Sequence, residues 1–584
     1  MTPTTPFVLL DDARPGGETR LYRDAVEVVV ATDPGDVPAA LDRVRGARAR
    51  GLHAAGFLAY EAGLAFAALP ADTAPAGPTD TPLLWFGLFE RWDRVDPATF
   101  LPDPAGAWIG APVPQVERAV YEEQVRAVLA LIAAGDLYQA NLSFQTTLAV
   151  AGDALAIHAR LRSRARAGYG AVVATGDTAI VSLSPEMFFE LTGDRLTCRP
   201  MKGTAPRGGT AVVDGYFART LAADAKQRAE NLMIVDLMRN DLSRVAVPGS
   251  VAVPALFAVE TYPTVHQLTS TVTATLAPGR DAIDVLAAAF PCGSITGAPK
   301  RRAMQAIAAI EARPRGIYTG SIGRIDANGD AAFNVAIRTL AIRGDTATLA
   351  LGAGIVADSD PAAEWAECLA KGGFVGDGAQ GFALIETMAF DPDDGIVLLD
   401  RHVARMQQSA ARLGFAFDRH AARNELQAAT FRLREARRVR LLLSPSGSFA
   451  VETAPLPAPF AGPAGIAIVP LPVPPHDIRL CHKTSARGFY EAARRTAGTD
   501  EVVFEHDGLL TEGSFTSLFV PRADGMLVTP PLDHGLLPGV LRGELIAQGR
   551  AVEGPVRRAD LAGGFFIGNA VRGLCAATLV ASAK

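Results

Sequence analysis

The run GAGIVADSDPAAEWAECLAK, residues 352–371, joins a strand-like segment directly to a helix. Asp360 is a suitable N-cap residue, and Pro361 occupies the first helical position. Glu364, Glu367 and Lys371 follow at i, i+3 and i+7, so two carboxylates and one ammonium share one helical face. The pattern predicts either a solvated, salt-bridged face or a functional cluster of charges.

The same alternation of strands and helices continues on both sides of this run. AVVAT (171–175) and AIVSLS (179–184) are strand-like, whereas AVYEEQVRAVLALIAAG (119–135) has the apolar spacing of a helix. We therefore expect a mixed α/β (α+β) chain. Loops are predicted at 69–82 and 96–115, with a helix starting near residue 116.

A glycine-rich run, GGFVGDGAQG (372–381), is the predicted domain boundary. The expected organisation is a first domain over 1–376, a linker over 377–381 and a second α/β domain over 382–584. A proline-rich run at 454–465 is expected to divide the second domain into two lobes.

Composition excludes several classes of function. The 584 residues carry a net charge of −6 without a basic stripe, so nucleic acid is not an expected partner. No apolar run approaches the roughly 18–20 residues that span a bilayer, and the start lacks the features of a signal peptide. The five cysteines, all outside CxxC pairs, fit a reducing cytoplasm and are expected to be small buried hydrophobes; they are Cys198, Cys292, Cys368, Cys481 and Cys575.

A second candidate region is KQRAENLMIVDLMRNDLSRV, residues 226–245. Its apolar residues surround the predicted helix, which favours a buried helix. Glu230 enters that stretch and needs a cation or hydrogen bonds there. With Glu367 it would form an oxygen-rich site suited to Mg²⁺, or it would form an ion pair with Lys226 or a nearby arginine.

Two further regions carry candidate residues. In PCGSITGAPKRRAMQAIAAIE (291–311), a glycine turn runs into a helix expected to begin at 298–299, and its free amides suit an anion; an ordinary tight turn is the alternative. In SPEMFFELTGDRLTCRPMKGTAPRG (184–208), Glu186 is in a strand-like context and Lys202 in a turn. A lysine among apolar residues loses its charge more easily and becomes nucleophilic, although a surface lysine is the simpler interpretation.

Together these segments resemble the chorismate-utilising family, which includes anthranilate synthase component I, aminodeoxychorismate synthase component I and isochorismate synthases. The resemblance covers roughly residues 120–376, and its fold is an antiparallel two-layer α/β sandwich. The motifs, in order, are GDLYQANLS, SLSPEMF, RPMKGT, ENLMIVDLMRNDL, VETYPTVHQL, SITGAPK, YTGSIG, FNVAIRTL and GAGIVADSDPAAEWAE.

The resemblance implies a role for each matching residue. Glu230 and Glu367 would bind Mg²⁺, with Glu364 acting through water, and Glu186 would be the general acid/base at the leaving hydroxyl. The substrate-binding residues implied are His266, Ser294, Thr296, Gly297, Arg338, Gly354 and Lys371. Arginine suits planar carboxylates, and the SITGA turn would hold a carboxylate by its amides.

Lys202 separates the branches of this family, because aminodeoxychorismate synthases resemble this chain in having PxKGT. The implied mechanism is covalent: neutral Lys202 adds at ring carbon 2 as the 4-hydroxyl leaves, and ammonia then adds at carbon 4 and expels the lysine. Anthranilate or isochorismate synthesis is the alternative. The strand FVLLDDA resembles one that lines a tryptophan pocket in relatives, but departs from their pattern.

Residues 382–584 resemble class IV pyridoxal-phosphate enzymes, specifically 4-amino-4-deoxychorismate lyase, with a two-lobed fold like that of D-amino-acid aminotransferase. The motifs are LIETM, LLDRHVARMQQSAARLGF, HKTSARGFYEAA, DGLLTEGSFTSLF, LLPGVLRGELI and FIGNAVRGL. Lys483 is implied to carry the Schiff base and Glu512 to face the pyridinium nitrogen. The implied phosphate-binding residues are Arg405, Gly539, Val540, Asn569 and Ala570.

The two resemblances fit consecutive reactions that lead to 4-aminobenzoate, a folate precursor. Chorismate and ammonia are the implied substrates, and a separate glutamine amidotransferase subunit is expected to supply the ammonia. A homodimer through the second domain is also implied. Because the usual strands before LIETM are missing, the second domain is expected to have a shortened lobe, and a non-catalytic scaffold is the alternative for it.

Overall fold

The computed structural model describes residues 5–580 except 68, 70–72, 74–76, 78, 80, 262–264 and 377–381. Two compact units are present, and the first consists of Met1–Leu101, Ala111–Leu148 and His158–Asp377. The second consists of Pro102–Gly110, Ala149–Ile157 and Gly378–Lys584. The linker predicted at 377–381 and most of the loop predicted at 69–82 lie outside the described residues.

Two antiparallel sheets form the sandwich predicted for the first unit. In the described chain the first sheet contains β1 Phe7–Asp11, β2 Thr19–Arg23, β6 Asp93–Arg94, β7 Trp108–Ile109, β8 Val113–Pro114, β9 Gln139–Ala151, β10 Tyr169–Ala174, β11 Thr178–Ser184, β17 Gly297–Ala298, β20 Thr339–Arg343 and β21 Thr346–Ile355. The second sheet contains β3 Glu27–Ala31, β4 His53–Leu58, β5 Leu84–Phe89, β12 Met187–Thr192, β13 Arg195–Arg199, β14 Met201–Pro206, β15 Ala252–Thr261, β16 Val265–Thr275, β18 Ser321–Ile325 and β19 Ala331–Asn334.

The inner faces of the two sheets share one apolar core. Val8 and Ile180 of the first sheet pack in the same cluster as Phe57 and Trp85 of the second. The helices before residue 376 are α1 Val37–Ala49, α2 Leu64–Ala67, α3 Pro97–Phe100, α4 Arg118–Ala133, α5 Ala154–Ala165, α6 Ala211–Ala223, α7 Ala225–Ser243, α8 Ala282–Ala289, α9 Lys300–Glu311 and α10 Pro361–Gly372. The α/β alternation read from the sequence is therefore confirmed.

Helices cover the remaining face of each sheet. Ile234 of α7 and Leu286 of α8 pack with Phe189 of β12 in a second apolar cluster. On the first sheet, Phe144 of β9 stacks on Trp365 of α10, with ring centroids 4.8 Å apart. These contacts fix α7 and α10, the helices that carry the predicted metal ligands.

The second unit has two lobes with one sheet each, and the proline-rich run at 454–465 separates them as expected. The smaller sheet contains β22 Leu384–Asp391, β23 Gly395–Ile396, β24 Arg437–Leu443 and β25 Phe449–Pro455. The larger contains β26 Ala464–Pro470, β27 Glu501–His506, β28 Leu509–Gly513, β29 Ser517–Pro521, β30 Leu527–Thr529, β31 Ala551–Glu553, β32 Phe565–Asn569 and β33 Gly573–Leu579. The helices are α11 Leu399–Leu413, α12 Arg419–Thr430, α13 Ile478–Cys481, α14 Gly488–Ala497 and α15 Val540–Ala547.

The segment 102–110, predicted to be loop, contributes to the core of the smaller lobe. Trp108 is 5% exposed and packs with Leu384, Met388 and Leu413. Asp103 Oδ2 also forms an ion pair with Arg479 Nη1 at 2.8 Å, which adds a polar contact between the 102–110 segment and this unit. A lobe that begins at Leu384 thus completes its core with a side chain from about 275 residues earlier in the chain.

Three of the five cysteines are buried as expected, whereas Cys481 is exposed and Cys575 is intermediate. All five are free, in agreement with the absence of paired spacings. Within the described residues, no helix combines the length and apolar character required to cross a bilayer.

Replacing Trp108 by alanine is expected to destabilise the second unit by about 3–5 kcal/mol, because it leaves a cavity in the core of the smaller lobe. Chemical unfolding, followed by circular dichroism, measures the loss. Phe431→Ala, at a side chain that is 75% exposed, is the matched control and should change little. Equal stability of the two variants would contradict a core role for Trp108.

Candidate functional site

Lys202 lies in strand β14, so the expectation that it sits in a turn was wrong. Its Nζ is 3.3 Å from the position that a Cβ on Gly354 would occupy, and Gln139 Nε2 is at the same distance. Gly354 belongs to β21 of the other sheet. The missing side chain at 354 therefore leaves the space into which the amine projects.

Glu186 lies between β11 and β12, where the chain passes from one sheet to the other. Its side chain is buried and accepts a hydrogen bond from Ser294 Oγ at 2.8 Å. Burial raises the pKa of Glu186, although Ser294 and Lys202 oppose the rise. Burial lowers the pKa of Lys202, opposed by Glu186. Both groups are thus shifted toward their neutral forms.

Three carboxylates predicted to hold magnesium lie on α7 and α10. Burial raises the pKa of half-buried Glu230, with Glu367 adding to the rise and Lys202 opposing it. Glu364 accepts a hydrogen bond from Ser359 Oγ at 2.6 Å, and burial also raises its pKa. Glu230 and Glu367 are also among the charges that act on the Lys202 amine, and both oppose the fall of its pKa.

One expectation for α7 was wrong, and one of the two alternatives left open for Glu230 is not observed. The helix is buried on one face only, since Leu232 is 43% exposed. The ion pair considered for Glu230 is not formed, because Lys226 pairs with Asp358 at 2.8 Å. Glu230 makes no ion pair with any described residue.

The sequence pattern of α10 allowed either a solvated, salt-bridged face or a functional cluster of charges. The face that carries Glu367 and Lys371 has features of both. Their side chains form an ion pair at 2.7 Å and are 56% and 43% exposed. Lys371 Nζ also donates to the carbonyl of Gly352 at 3.0 Å, two residues before Gly354. This face is solvated, and it also faces the strand against which the Lys202 amine lies.

Among the described residues, the predicted ligands Glu230, Glu364 and Glu367 are not gathered into one group of three that could hold a metal ion. In the described part of the chain, no three His, Cys, Asp or Glu side chains form a metal-binding group. Magnesium is commonly held by one or two carboxylates, with water and substrate oxygens completing its shell. Glu230, with no cation paired to it, fits that pattern.

The glycine turn before α9 departs from its prediction. The helix begins at Lys300, after a cis peptide at Ala298–Pro299, rather than at 298–299. The amides of Ile295 and Thr296 donate within the turn, to Cys292 and Gly293. Gly297 allows close approach of β9, since a Cβ there would lie 2.3 Å from Gln139 O. Ser294 connects this turn to Glu186, the neighbour of Lys202, through its hydrogen bond to the Glu186 carboxyl group.

His266 and Arg338 make no side-chain hydrogen bond or ion pair to Lys202, Glu186 or Ser294 among the described contacts. His266 Nε2 is 2.8 Å from Asp214 Oδ1 of α6, and its Nδ1 is 3.0 Å from Thr261 Oγ1. Both ring nitrogens are therefore already engaged. Arg338 is half-buried without a hydrogen bond or ion pair from its guanidinium to any described residue, and burial lowers its pKa. An unpaired guanidinium suits a carboxylate ligand.

Gln139 and Asp214 were not identified from the sequence. Gln139 is buried, and both polar atoms of its side chain lack a hydrogen-bond partner among the described residues. It stands within the GDLYQANLS motif, whose spacing carries no signal of chemistry. A buried amide without partners, directed at Gly354 beside Lys202, fits a ligand-binding role.

In the second unit, Arg405 and Glu512, both predicted to lie at the same site as Lys483, are among the charges that act on its amine. Burial lowers the pKa of Lys483 to about 7, with Arg405 adding to the fall and Glu386 opposing it. About half of the amine is therefore uncharged, and so able to act as a nucleophile, near neutral pH. Glu512 is buried, which raises its pKa to about 7, and it accepts hydrogen bonds from Tyr490 Oη at 2.7 Å and the Leu537 amide at 3.1 Å.

Arg405 has an additional partner that the sequence did not indicate. Its Nε and Nη2 donate to Glu386 at 2.8 and 2.6 Å, and Nη1 donates to the carbonyl of Pro538 at 3.0 Å. Arg405 therefore lies beside Gly539, which precedes helix α15. Asn569 is engaged locally, with its Oδ1 accepting from the amides of Val571 and Arg572; Ala570 lies in the same turn.

These residues fit pyridoxal phosphate. The first amides of α15, at Gly539 and Val540, suit a phosphate beside Arg405. A side chain at Gly539 would meet Ser517 Oγ at 2.5 Å, so the glycine permits a close backbone approach. The buried amine of Lys483 and the carboxyl of Glu512 supply the two remaining groups that this cofactor needs.

The N-terminal strand β1 ends at a buried cluster of charges. Asp11 accepts hydrogen bonds from Thr19, His158 and Arg162, which outweigh its burial and lower its pKa. Beside the strand lies a cavity of about 210 Å³, in which Arg14 lies over the ring of Tyr169.

Comparison with known proteins identifies the class. The pattern of the chorismate binding enzyme family matches residues 6–375, and that of amino-transferase class IV matches residues 383–580. The chain therefore belongs to the chorismate binding enzyme family and carries a class IV aminotransferase domain C-terminal to the chorismate-binding region.

Individual relatives are similar over part of their length. Aminodeoxychorismate synthase component 1 of Salmonella typhimurium is 47% identical over 254 residues, which are 44% of this chain and 56% of the relative. Anthranilate synthase component 1 1 of Halobacterium salinarum is 43% identical over 259 residues, 44% of this chain and 49% of the relative. The match thus spans about half the length of these relatives. The structure of anthranilate synthase component I from Streptococcus pneumoniae superposes with a TM-score of 0.54 at 26% identity, over 62% of this chain and 93% of that one.

Uptake of pyridoxal phosphate by the purified chain is expected to accelerate as the pH rises from 6 to 8. With a pKa of about 7, the neutral fraction of Lys483 rises from roughly a tenth to roughly nine tenths over that range. The visible absorbance of the bound cofactor measures the rate, and Lys483→Ala, which should show no band, is the control. A rate independent of pH would contradict the lowered pKa.

Proposed function

We propose that the first unit converts chorismate and ammonia into 4-amino-4-deoxychorismate and water, using Lys202 as a covalent nucleophile. The observation that carries this proposal is the Lys202 amine beside Gly354, with buried Glu186 as its electrostatic neighbour. An amine must be uncharged to attack carbon, and burial favours that form. The relatives of the same family that are named aminodeoxychorismate synthase support this choice.

Glu186 and Lys202 would divide the proton chemistry of the first half-reaction. The neutral carboxyl of Glu186 donates its proton to the 4-hydroxyl, which leaves as water. At the same time Lys202 Nζ forms a bond to ring carbon 2, and the ring double bonds shift toward carbon 4. The resulting carboxylate of Glu186 then takes a proton from the new ammonium group on the lysine.

Ammonia would complete the exchange in the second half-reaction. Its nitrogen bonds to carbon 4, the double bonds shift back, and the bond between carbon 2 and Lys202 breaks as Glu186 returns its proton to the lysine nitrogen. The carboxylate of Glu186 then takes a proton from the new ammonium group on carbon 4. Two such displacements return the amine to the carbon that the hydroxyl left. Since the relatives are named component 1, we infer that a second, glutamine-hydrolysing subunit supplies the ammonia.

Binding groups on the first unit would position the ring. Mg²⁺, held by Glu230 and Glu367 with Glu364 close by, would neutralise the ring carboxylate and the charge that develops as the hydroxyl departs. The unpaired guanidinium of Arg338 would hold a carboxylate, and Gln139 would donate to the substrate. Lys371, fixed to the Gly352 carbonyl, would add a positive charge near the same strand.

We further propose that the second unit eliminates pyruvate from this product and leaves 4-aminobenzoate. Bound pyridoxal phosphate would supply an electron sink for the bond that breaks. Lys483 would hold the cofactor and move the proton, while Arg405 and the start of α15 would hold the phosphate. The fit of these side chains and the class IV match support a catalytic domain rather than a scaffold.

Lys202→Ala is expected to lower the rate of 4-amino-4-deoxychorismate formation from chorismate, Mg²⁺ and ammonium by about a thousand-fold or more, because the nucleophile is removed. Lys202→Arg is the matched variant; it keeps a positive charge, and activity should not return. Without ammonium, the intact wild-type protein should gain the mass of chorismate less water, and the alanine variant should not. Anthranilate as the main product, or an active alanine variant, would reject the covalent route.

Lys483→Ala is expected to stop the sequence of reactions at 4-amino-4-deoxychorismate, whereas the unchanged chain with pyridoxal phosphate should release 4-aminobenzoate and pyruvate in equal amounts. Liquid chromatography with mass detection distinguishes these products. Transfer of the amino group to a 2-oxo acid would instead assign an aminotransferase. Absence of any product beyond the first step would favour a scaffold.

A further inference from the structure

A buried carboxylate in the second unit has no part in the chemistry proposed above. Glu501 is the first residue of strand β27, and its side chain is closed to solvent. Burial raises the pKa of Glu501, although hydrogen bonds from Ser514 and from three backbone amides oppose the rise. A buried carboxylate is costly unless donors stabilise it, so the donors that it has gathered indicate what it holds in place.

Most of these donors belong to the 514–516 turn, the three residues that join β28 to β29. Oε1 of Glu501 accepts from the amide of Ser514 at 3.0 Å and from its Oγ at 2.5 Å. Oε2 accepts from the amide of Phe515 at 3.1 Å and from Thr516 Oγ1 at 3.2 Å. Both oxygens of one carboxylate therefore hold three successive residues of the turn.

The residue before the turn has to be small because the carboxylate lies against it. A Cβ on Gly513 would lie 3.1 Å from Cδ of Glu501 and 2.4 Å from Thr516 Oγ1. Gly513 directly follows Glu512 in β28. Burial raises the pKa of Glu512, and the charge of Glu501 adds to that rise. The carboxylate thus lies close to a residue predicted to face the cofactor.

Carbonyl groups of the turn hold two side chains of the predicted cofactor site. Arg487 Nη2 donates to Ser514 O at 2.8 Å, and Asn569 Nδ2 donates to Phe515 O at 3.1 Å. Burial lowers the pKa of Lys483, and the charge of Arg487 adds to that fall. Asn569 is one of the predicted phosphate-binding residues. A shift of the turn would therefore move groups on both the lysine side and the phosphate side of the site.

We propose that Glu501 is a positioning residue for the cofactor site of the second unit: it holds the 514–516 turn, and the turn holds Arg487 and Asn569. Glu501 would act through these residues without touching the cofactor. The inference rests on the proposed binding of pyridoxal phosphate by this unit. A carboxylate suits the position because both of its oxygens accept hydrogen bonds, whereas an amide offers only one acceptor oxygen.

Glu501→Gln keeps the shape of the side chain and replaces one acceptor oxygen by a donor. In either orientation of the new amide, its NH2 group faces a backbone amide of the 514–516 turn, which loses its acceptor. We expect the affinity of the full chain for pyridoxal phosphate to fall roughly ten-fold or more. The affinity for pyridoxal, which lacks the phosphate, should fall less, because Asn569 is predicted to lie on the phosphate side.

Titrations followed by the absorbance of the bound compound measure both affinities. Glu505→Gln is the matched control on the same strand; its side chain is 31% exposed, and both affinities should stay unchanged. Unchanged binding by Glu501→Gln, or an equal loss for the two compounds, would overturn the proposal. A wild-type chain that takes up no pyridoxal phosphate would overturn the cofactor assignment and this proposal together, so the two failures are distinguishable.

Crystals of the unchanged chain grown with pyridoxal phosphate give a test that does not depend on the folding of a variant. Contact between the cofactor and Arg487 or Asn569, with their bonds to Ser514 O and Phe515 O retained, would support the proposal. Cofactor bound at Lys483 with neither side chain in contact would overturn it while leaving the proposed function of the second unit intact.

Discussion

Burial of Lys202 beside Glu186 is the constraint on which the chemistry of the first unit depends. In water the pair would exist as ammonium and carboxylate. Where both are desolvated, each loses the stabilisation of its charge, and the electrostatic attraction between them recovers only part of it. Burial thus shifts Glu186 toward the protonated acid and Lys202 toward the uncharged amine. The sandwich makes this possible, because Lys202 comes from one sheet and Gly354 from the other.

The second unit uses the same physical principle with different neighbours. Lys483 is buried near two guanidinium groups, so its pKa falls to about 7 even though two glutamates oppose the fall. Glu386 neutralises Arg405 through two hydrogen bonds and thereby fixes the guanidinium beside the start of α15. One glutamate therefore influences the orientation of Arg405, which is proposed to bind phosphate, as well as the charge near the lysine.

Chain order and spatial grouping do not coincide in this protein. The family pattern assigns residues 6–375 to one domain, yet 102–110 and 149–157 pack with the second unit. Trp108 explains why, since it fills the apolar core of a lobe whose first described strand is β22. An earlier segment of the chain thus completes the apolar core of a lobe that lies much later in the sequence.

The sequence by itself determined the alternation of elements and the order of the two family-matched regions, because periodicity, caps and long ordered motifs are local properties of the chain. The charged residues proposed for both sites were also read from those motifs. It did not determine that α7 has one exposed face, that Lys226 pairs with Asp358, or that Gln139 lies against Gly354. It also gave no sign that Arg313 Nη1 is buried without a hydrogen-bond partner among the described residues. Partner choice, burial and the protonation state that follows from them depend on residues brought together from distant parts of the chain, and only the tertiary structure sets those distances.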